Sequence, residues 1–375
     1  MTRESYDVII AGLGIMGSAC AARLGMAGYK VLALEQFRLG HDRGSSHGES
    51  RLIRTACFED PAYVPLARAS LRMWQEMEAD QEETILHKTG VVIFGDPQQS
   101  GVLAGVTESA RRFGLPLESV PAAAAGRWPG LKIPPHWQGL FEEEAGILMV
   151  EPALRRFQQE AQESGATLLE NCRMTDFRQE DGGILVTTDS GNFHGRHLVI
   201  TCGAWLGKTL QHRTRSSHRL ITGIEKNEMF WFPGGAGRPA TTAFALDTPD
   251  GFFYGMPPLP GGKGFKLARH GTGIILKDPD RLRDEKRSGE AAVRDFMEHY
   301  MPGFNTQPVQ RVACMYTMSP DDHFLLDVLP GTDRKVIVAG GFSGHGFKFA
   351  PAVGSAVADL IRDRPADPNL ILFHL

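Results

Sequence analysis

The chain has 375 residues, 42% hydrophobic and 22% charged, an ordinary globular composition and more sequence than one hydrophobic core usually spans. Its formal net charge of −4 excludes a global basic surface for nucleic acid or an anionic membrane. Its 5 cysteines, Cys20, Cys57, Cys172, Cys202 and Cys314, are odd in number and lack metal-ligand spacing, which argues against a disulfide framework and a zinc site.

Asp7 to Ala11 reads as a short buried strand, Ile15 to Met26 as a helix, and Lys30 to Leu34 as a second strand ending in Glu35, together a βαβ unit. Glycines, Arg23 and Lys30 interrupt the apolar stretch from Val8 to Leu34, so it is not expected to span a membrane. No small-residue cleavage site follows a basic start, and a cytoplasmic chain is expected. Pro61 to Asp80 has helical spacing, with Ala67, Leu71 and Trp74 on one side. Val91 to Phe94 reads as a strand, and Arg111 to Pro135 as irregular. A helix is predicted from Pro152 to Ser164, stopped by Gly165. Strands follow at Thr167 to Leu169, Ile184 to Thr188 and Leu198 to Thr201.

A sheet-rich texture begins near His212, with strands predicted at Ile221 to Phe232, Phe252 to Tyr254 and Phe265 to Ala268, then a helix at Gly289 to Tyr300. The basic run at 212–219 lacks interleaved aromatics and reads as a solvated loop, and Asp278 and Asp280 read as exposed charge. Val336 to Ala339 reads as a strand, Gly340 to Gly346 as a glycine-rich loop, and Phe349 to Ile361 as a helix.

Three motifs carry chemistry. Gly12-x-Gly14-x-x-Gly17 lies between strand and helix, with Glu35 closing the second strand. The first glycine makes the turn, the second lets backbone approach a pyrophosphate, and the third lets helix pack on strand. The phosphates then meet N–H groups at Ile15 and Met16 on the helix terminus, and Glu35 accepts from ribose hydroxyls. The motif alone does not separate FAD from NAD. Arg51 and Arg54 would share a face on a helix, where such a pair holds a carboxylate or a phosphate; a solvated basic face is the alternative. Residues 341–349 read Gly-Phe-Ser-Gly-His-Gly-Phe-Lys-Phe before a helix, whose positive end suits a ligand gaining negative charge.

The chain resembles monomeric sarcosine oxidase and N-methyltryptophan oxidase, a family of FAD-dependent amine oxidases, over nearly its whole length. The likeness rests on Gly12–Gly17, Gly44–Arg54, Gly203–Trp205, Tyr254–Gly255, Lys266–His270, Cys314-Met315-Tyr316-Thr317 and Gly341–Phe349. It implies an α/β fold: an FAD-binding Rossmann-like domain over 1–85, 150–212 and 314–375, with an inserted sheet-rich substrate domain over 86–149 and 213–313.

It further implies that Cys314 bonds through sulfur to the flavin ring, with Arg51 close to that ring. Ser45, Gly203, Trp205 and Met315 fall at cofactor positions, as do Gly344, His345, Gly346 and Phe347. Arg54 and Lys348 look like the clamp on a substrate carboxylate. Lys266 resembles the lysine where oxygen reacts, and Tyr254, His270 and Tyr316 resemble pocket residues. The implied reaction oxidises a small secondary amine bearing a carboxylate to an imine, with O2 reduced to H2O2. A flavin dehydrogenase of an imino acid or sugar-derived amino acid, passing electrons elsewhere, is the alternative. A monomer is expected from the family. One departure is the loop Ser45-Ser46-His47-Gly48-Glu49-Ser50-Arg51, where the family often has Ser-His-His-Gly-Asp-Thr-Arg.

Overall fold

The computed structural model describes residues 5–79, 83–128, 130–211, 220–233, 241–362 and 373. The basic run at 212–219 lies outside these residues. No helix among them is long and apolar enough to cross a membrane.

The βαβ unit lies at the centre of the first of three sheets among the described residues. Five parallel strands run in the order Thr167–Leu169, Val31–Leu34, Ser5–Ala11, Gly191–Ile200 and Val336–Gly340. Leu325–Val328 adds an antiparallel edge, and the hairpin Met174–Glu180 with Gly183–Thr188 pairs with the start of Gly191–Ile200. The strands are apolar on both faces because both are covered. Val8 and Ile10 pack under the helices Ile15–Met26, Val150–Glu163 and Ala350–Ile361, while Ile9 and Ala11 face Leu206 and Val186 on the other side. Gly17 is required where helix meets strand, since a Cβ there would lie 1.8 Å from the Gly12 oxygen.

The second sheet has nine strands. Its order is Ile274–Leu276, Gly223–Phe232, Phe265–His270, Gly251–Met256, Ala243–Thr248, Val91–Gly95, Gln138–Glu142 and Glu118–Pro121, with Gln310–Met318 also on Gly223–Phe232. The helix Glu290–Tyr300 buries Val293, Phe296 and Met297 against one face, on Phe230, Phe253 and Leu267. Residues opposite each other in the ladders share a face. The pairs Trp231 with Lys266, Met256 with Lys266, Tyr254 with Ala268, and Glu225 with Tyr316 therefore turn one set of side chains away from that helix, toward the first sheet. The strand Gln310–Met318 contains residue 314, where the domain boundary is expected, and pairs unbroken along Gly223–Trp231.

Two local expectations are corrected. Arg111 is not in irregular chain: a helix runs over Gly101–Phe113, capped by the Ser100 hydroxyl, which accepts from the Leu103 N–H at 3.0 Å. It buries Leu103 and Val106 against Val91, Ile93 and Ala245. Arg51 is not helical either. Ser50–Ile53 is a strand that pairs antiparallel with Gly146–Met149 in a small third sheet, and Arg54 follows its end. Pairing with a partner strand overrides the i, i+3 spacing.

Candidate active site

A long cleft of about 2330 Å³, counting the part open to solvent, separates the first sheet from the turned-away face of the second. Its lining runs from Gly12–Met16, Glu35 and Trp205 at one end to Cys314, Tyr254, His270 and Lys348 at the other.

At the first end the chain leaves the strand Ser5–Ala11 through Gly12, at φ 98°, where a Cβ would come within 2.6 Å of the Thr201 oxygen. No side chain of Gly14 caps the helix Ile15–Met26; instead the Ser46 hydroxyl accepts from the Ile15 N–H at 3.0 Å. A Cβ on Gly14 would meet only that hydroxyl, at 3.1 Å, so the turn is open for close approach of an anion. Glu35 is 3% exposed and accepts from the Leu13 N–H at 2.9 Å and the Phe37 N–H at 3.0 Å. Burial works to raise its pKa, but the hydrogen bonds from His41 and Leu13 win and hold it below the usual carboxylate range.

Gly203, at φ 52°, opens the turn Gly203–Trp205 on the same rim. Trp205 donates to Asp280 at 2.8 Å, and Lys208 donates to Asp278 at 2.7 Å and Asp280 at 2.8 Å. The two aspartates are exposed, as expected, and their ion pairs join the second sheet's loop to the cleft rim.

At the far end Cys314 is buried, and that burial pushes its thiol up while Arg51 and Lys266 pull it back. The Ser45 hydroxyl donates to the Met315 oxygen at 2.6 Å, tying the loop of residues 44–51 to this strand. Arg51 donates to the carbonyls of Ser45 at 2.9 Å, His47 at 2.8 Å and Ser50 at 2.8 Å, with its guanidinium 5.8 Å from the Phe347 ring centre. Lys266, 2% exposed, donates to the carbonyls of Gly48 at 2.9 Å and Ser50 at 2.6 Å. Burial first, then Arg51, holds its pKa well below that of an ordinary lysine.

Arg54 and Lys348 meet, although Arg51 and Arg54 do not share a partner. Arg54 donates to Glu59 Oε1 at 2.8 Å and to the Ala56 carbonyl at 2.6 Å. Lys348 Nζ lies 3.8 Å and His345 Nδ1 3.6 Å from the same Glu59 oxygen. Burial opposes ionisation of Glu59, but Arg54 and Lys348 outweigh it and hold its carboxyl well below the usual range. Burial lowers the His345 pKa to about 3, so its ring is neutral. Arg54 and Lys348 line the cleft with Glu59 between them, and Glu142 acts on both cations as a second nearby carboxylate.

His270 Nδ1 lies 3.2 Å from the Tyr316 hydroxyl, which also hydrogen-bonds Tyr254. Burial lowers the His270 pKa to about 4, so this line of groups is uncharged at neutral pH. Gly344, at φ 83°, lets the 341–349 loop lie against Tyr316, where a Cβ would be 2.4 Å from the ring. Trp74 fixes that loop by donating to the Lys348 carbonyl at 2.8 Å. Gly346 precedes the short turn Phe347–Phe349, from which the helix Ala350–Ile361 continues.

Sequence spacing missed three residues. Glu59 sits between the two cations. Glu142 accepts from the Thr55 N–H at 2.7 Å, the Thr55 hydroxyl at 2.6 Å and the Ala56 N–H at 3.1 Å, fixing the turn after Arg54. Ser46 caps the first helix. Glu59, five residues beyond Arg54, was the nearest thing to a signal.

The chain as a whole is similar to known proteins. A family model described as FAD dependent oxidoreductase matches residues 7–360. Monomeric sarcosine oxidase from Bacillus sp. (strain B-0618) is 32% identical over 99% of this chain and 95% of that protein. N-methyl-L-tryptophan oxidase from Salmonella agona is 32% identical over 99% of this chain and 98% of that protein. Among solved structures, the open form of NikD, an unusual amino acid oxidase, shares the fold with a TM-score of 0.83 at 22% identity, covering 99% of this chain and 97% of that one. L-Proline dehydrogenase from P. horikoshii shares it with a TM-score of 0.83 at 23% identity, covering 98% and 96%.

Proposed function

The chain belongs to the FAD-dependent oxidoreductase family, and from that premise we propose that it oxidises a small secondary amine carrying one carboxylate, using O2 as the electron acceptor. The observation that carries this reading is the buried pair of cations, Arg54 and Lys348, at the end of the cleft where Cys314 and Arg51 also lie. Two cations converging on one place suit a carboxylate.

The residues present fit FAD. The open turn at Gly14 and the Ile15 helix terminus suit its pyrophosphate, and Glu35 suits a ribose hydroxyl. Cys314, Arg51 and the 344–348 loop suit its ring, with the Cys314 sulfur as the point of covalent attachment. Bound there, FAD supplies the two-electron acceptor that no side chain provides.

The protein's own part is to position and to hold charge. Arg54 and Lys348 grip the substrate carboxylate by charge-assisted hydrogen bonds, which fixes the α-amine in the cleft. A cationic wall raises the cost of an ammonium charge, so it favours the neutral, reactive amine. The uncharged line His270, Tyr316 and Tyr254 offers hydrogen bonds beside that amine without adding a charge. The buried Lys266 ammonium favours negative charge developing on oxygen. Released imine hydrolyses in water. The protein works as a monomer in the cytoplasm.

A peroxide-coupled screen of secondary amino acids tests the reading. The expected result is one H2O2 per substrate turned over, with activity lost when the carboxylate is removed. Turnover that reduces an artificial acceptor and yields no peroxide would replace the oxidase with a dehydrogenase.

A further inference from the structure

Two cations meet on one backbone oxygen. The Ser50 carbonyl accepts from Lys266 Nζ at 2.6 Å and from Arg51 Nη1 at 2.8 Å, and the Gly48 carbonyl accepts from Lys266 at 2.9 Å. These carbonyls converge because Glu49, between them, sits at φ 65° while the Ser50 N–H donates back to the Gly48 oxygen at 2.8 Å. This is a three-residue γ-turn of the strained hand, which a glycine would adopt more easily. A side chain held there against its preference points to a role for that side chain.

The Glu49 carboxylate accepts from Trp231 Nε1, and the Trp231 ring centre lies 5.3 Å from Lys266 Nζ. The chain near Gly262 closes over the same carboxylate, since a Cβ on Gly262 would lie 2.7 Å from Glu49 Oε1. The charged and titratable groups that face Lys266 are Arg51 and Glu49 from the loop and Cys314 from the strand Gln310–Met318. Cys314 is a neutral thiol raised by burial, so Glu49 is the anion of this set.

We propose that Glu49 is a positioning residue: its turn aims two carbonyls at Lys266, and its carboxylate supplies the negative charge that offsets Arg51 there. The proposal rests on the reading that Lys266 acts where oxygen is reduced. Glu49 touches neither substrate nor cofactor in this scheme; it acts through Lys266.

The test compares wild-type holoenzyme with Glu49→Gln, Trp231→Phe and Lys266→Met. The first measurement is the pH titration of the Lys266 ¹⁵Nζ resonance without substrate, assigned by its loss in Lys266→Met. Removing an opposite charge makes the ammonium harder to keep, so the midpoint in Glu49→Gln falls by about one pH unit or more. Trp231→Phe keeps the aromatic face but loses the donor that holds the carboxylate, and shifts the midpoint the same way by less. The second measurement is stopped-flow reoxidation of the reduced enzyme by O2 across pH. The decline in rate with rising pH moves to lower pH in Glu49→Gln, while reduction by substrate stays within about twofold. Midpoints and reoxidation profiles that superimpose on wild type overturn the proposal, and if Glu49→Gln does not fold, an unchanged Trp231→Phe does the same. If Lys266→Met reoxidises at the wild-type rate, the oxygen-site reading itself falls, and this proposal with it.

Discussion

Arg54 donates to Glu59 at 2.8 Å, so the arginine best placed to grip a substrate carboxylate already holds one from its own chain. On the proposed reading, a substrate carboxylate would compete with Glu59 for that guanidinium. Glu59→Gln removes the competitor and leaves Arg54 without its bonded counter-ion, with Glu142 the remaining carboxylate acting on the two cations. Breaking a buried pair in this way costs about 3–5 kcal/mol. The expected outcome is a lower unfolding midpoint that added carboxylate ligand restores, together with a lower KM for carboxylate substrates. A midpoint unmoved by the mutation would show that the pair carries no such load.

Lys266→Met removes a charge from the base of the 44–51 loop. Loss of one preorganised charge typically costs about 10²–10³ in rate. The slowing is expected in reoxidation by O2, with flavin reduction little changed. Stopped-flow traces in which both half-reactions slow together would reject the assignment.

Cys314→Ala tests the covalent attachment. Wild-type protein precipitated with acid is expected to keep its yellow colour in the pellet. The alanine variant is expected to release essentially all of it into the supernatant. Colour leaving the wild type as well would mean the thiol is not bonded.

Acid stability follows from three desolvated imidazoles, one buried and two half-buried. Burial depresses His47 and His270 to about 4 and His345 to about 3. Their unfolded values lie near 6.5, so the unfolded chain takes up protons first as pH falls. The stability they contribute is fully present above pH 6.5 and is lost as pH falls toward 4 and 3. Each costs up to about 1.4 kcal/mol per pH unit in that window. Urea midpoints measured between pH 7 and 4 should fall steadily; a flat profile to pH 4 would contradict the burial argument.

Gly105 links the fold to the site. A Cβ there would lie 2.4 Å from the Phe58 carbonyl, against backbone that cannot swing aside. Gly105→Ala is expected to cost about 1–3 kcal/mol by overpacking. It should also raise KM several-fold, because Phe58 precedes Glu59. Thermal melts and steady-state kinetics check both effects.

The first βαβ unit was legible because its signals are contiguous: an apolar run, three glycines at fixed offsets, an apolar helix and a closing glutamate. The helix Gly101–Phe113 was not, because Gly101 and Gly105 dilute its helical signal and Gly105 is there for the contact with Phe58. Arg51 and Arg54 were read from spacing as a pair sharing a helix face, with a solvated basic face as the alternative, and took their roles from the family likeness; pairing with Gly146–Met149 makes a strand there. Lys266, His270, Tyr254 and Tyr316 were recognised through the family likeness. Their common face came only with the ladder register. Glu59, Glu49 and Glu142 act through contacts between segments distant in sequence or across tight turns, and no local pattern marks a carboxylate for such duty.

The register of the nine-stranded sheet limits how this site can change. Lys266 and His270 alternate with Leu267 and Arg269, and Tyr254 alternates with Phe253, which packs under the helix Glu290–Tyr300. Adding or deleting a single residue in any of these strands would exchange its polar side chains on this face for core phenylalanines and leucines all along one side. New specificities therefore arise by swapping side chains in place or by remodelling the connecting loops, while strand lengths stay locked.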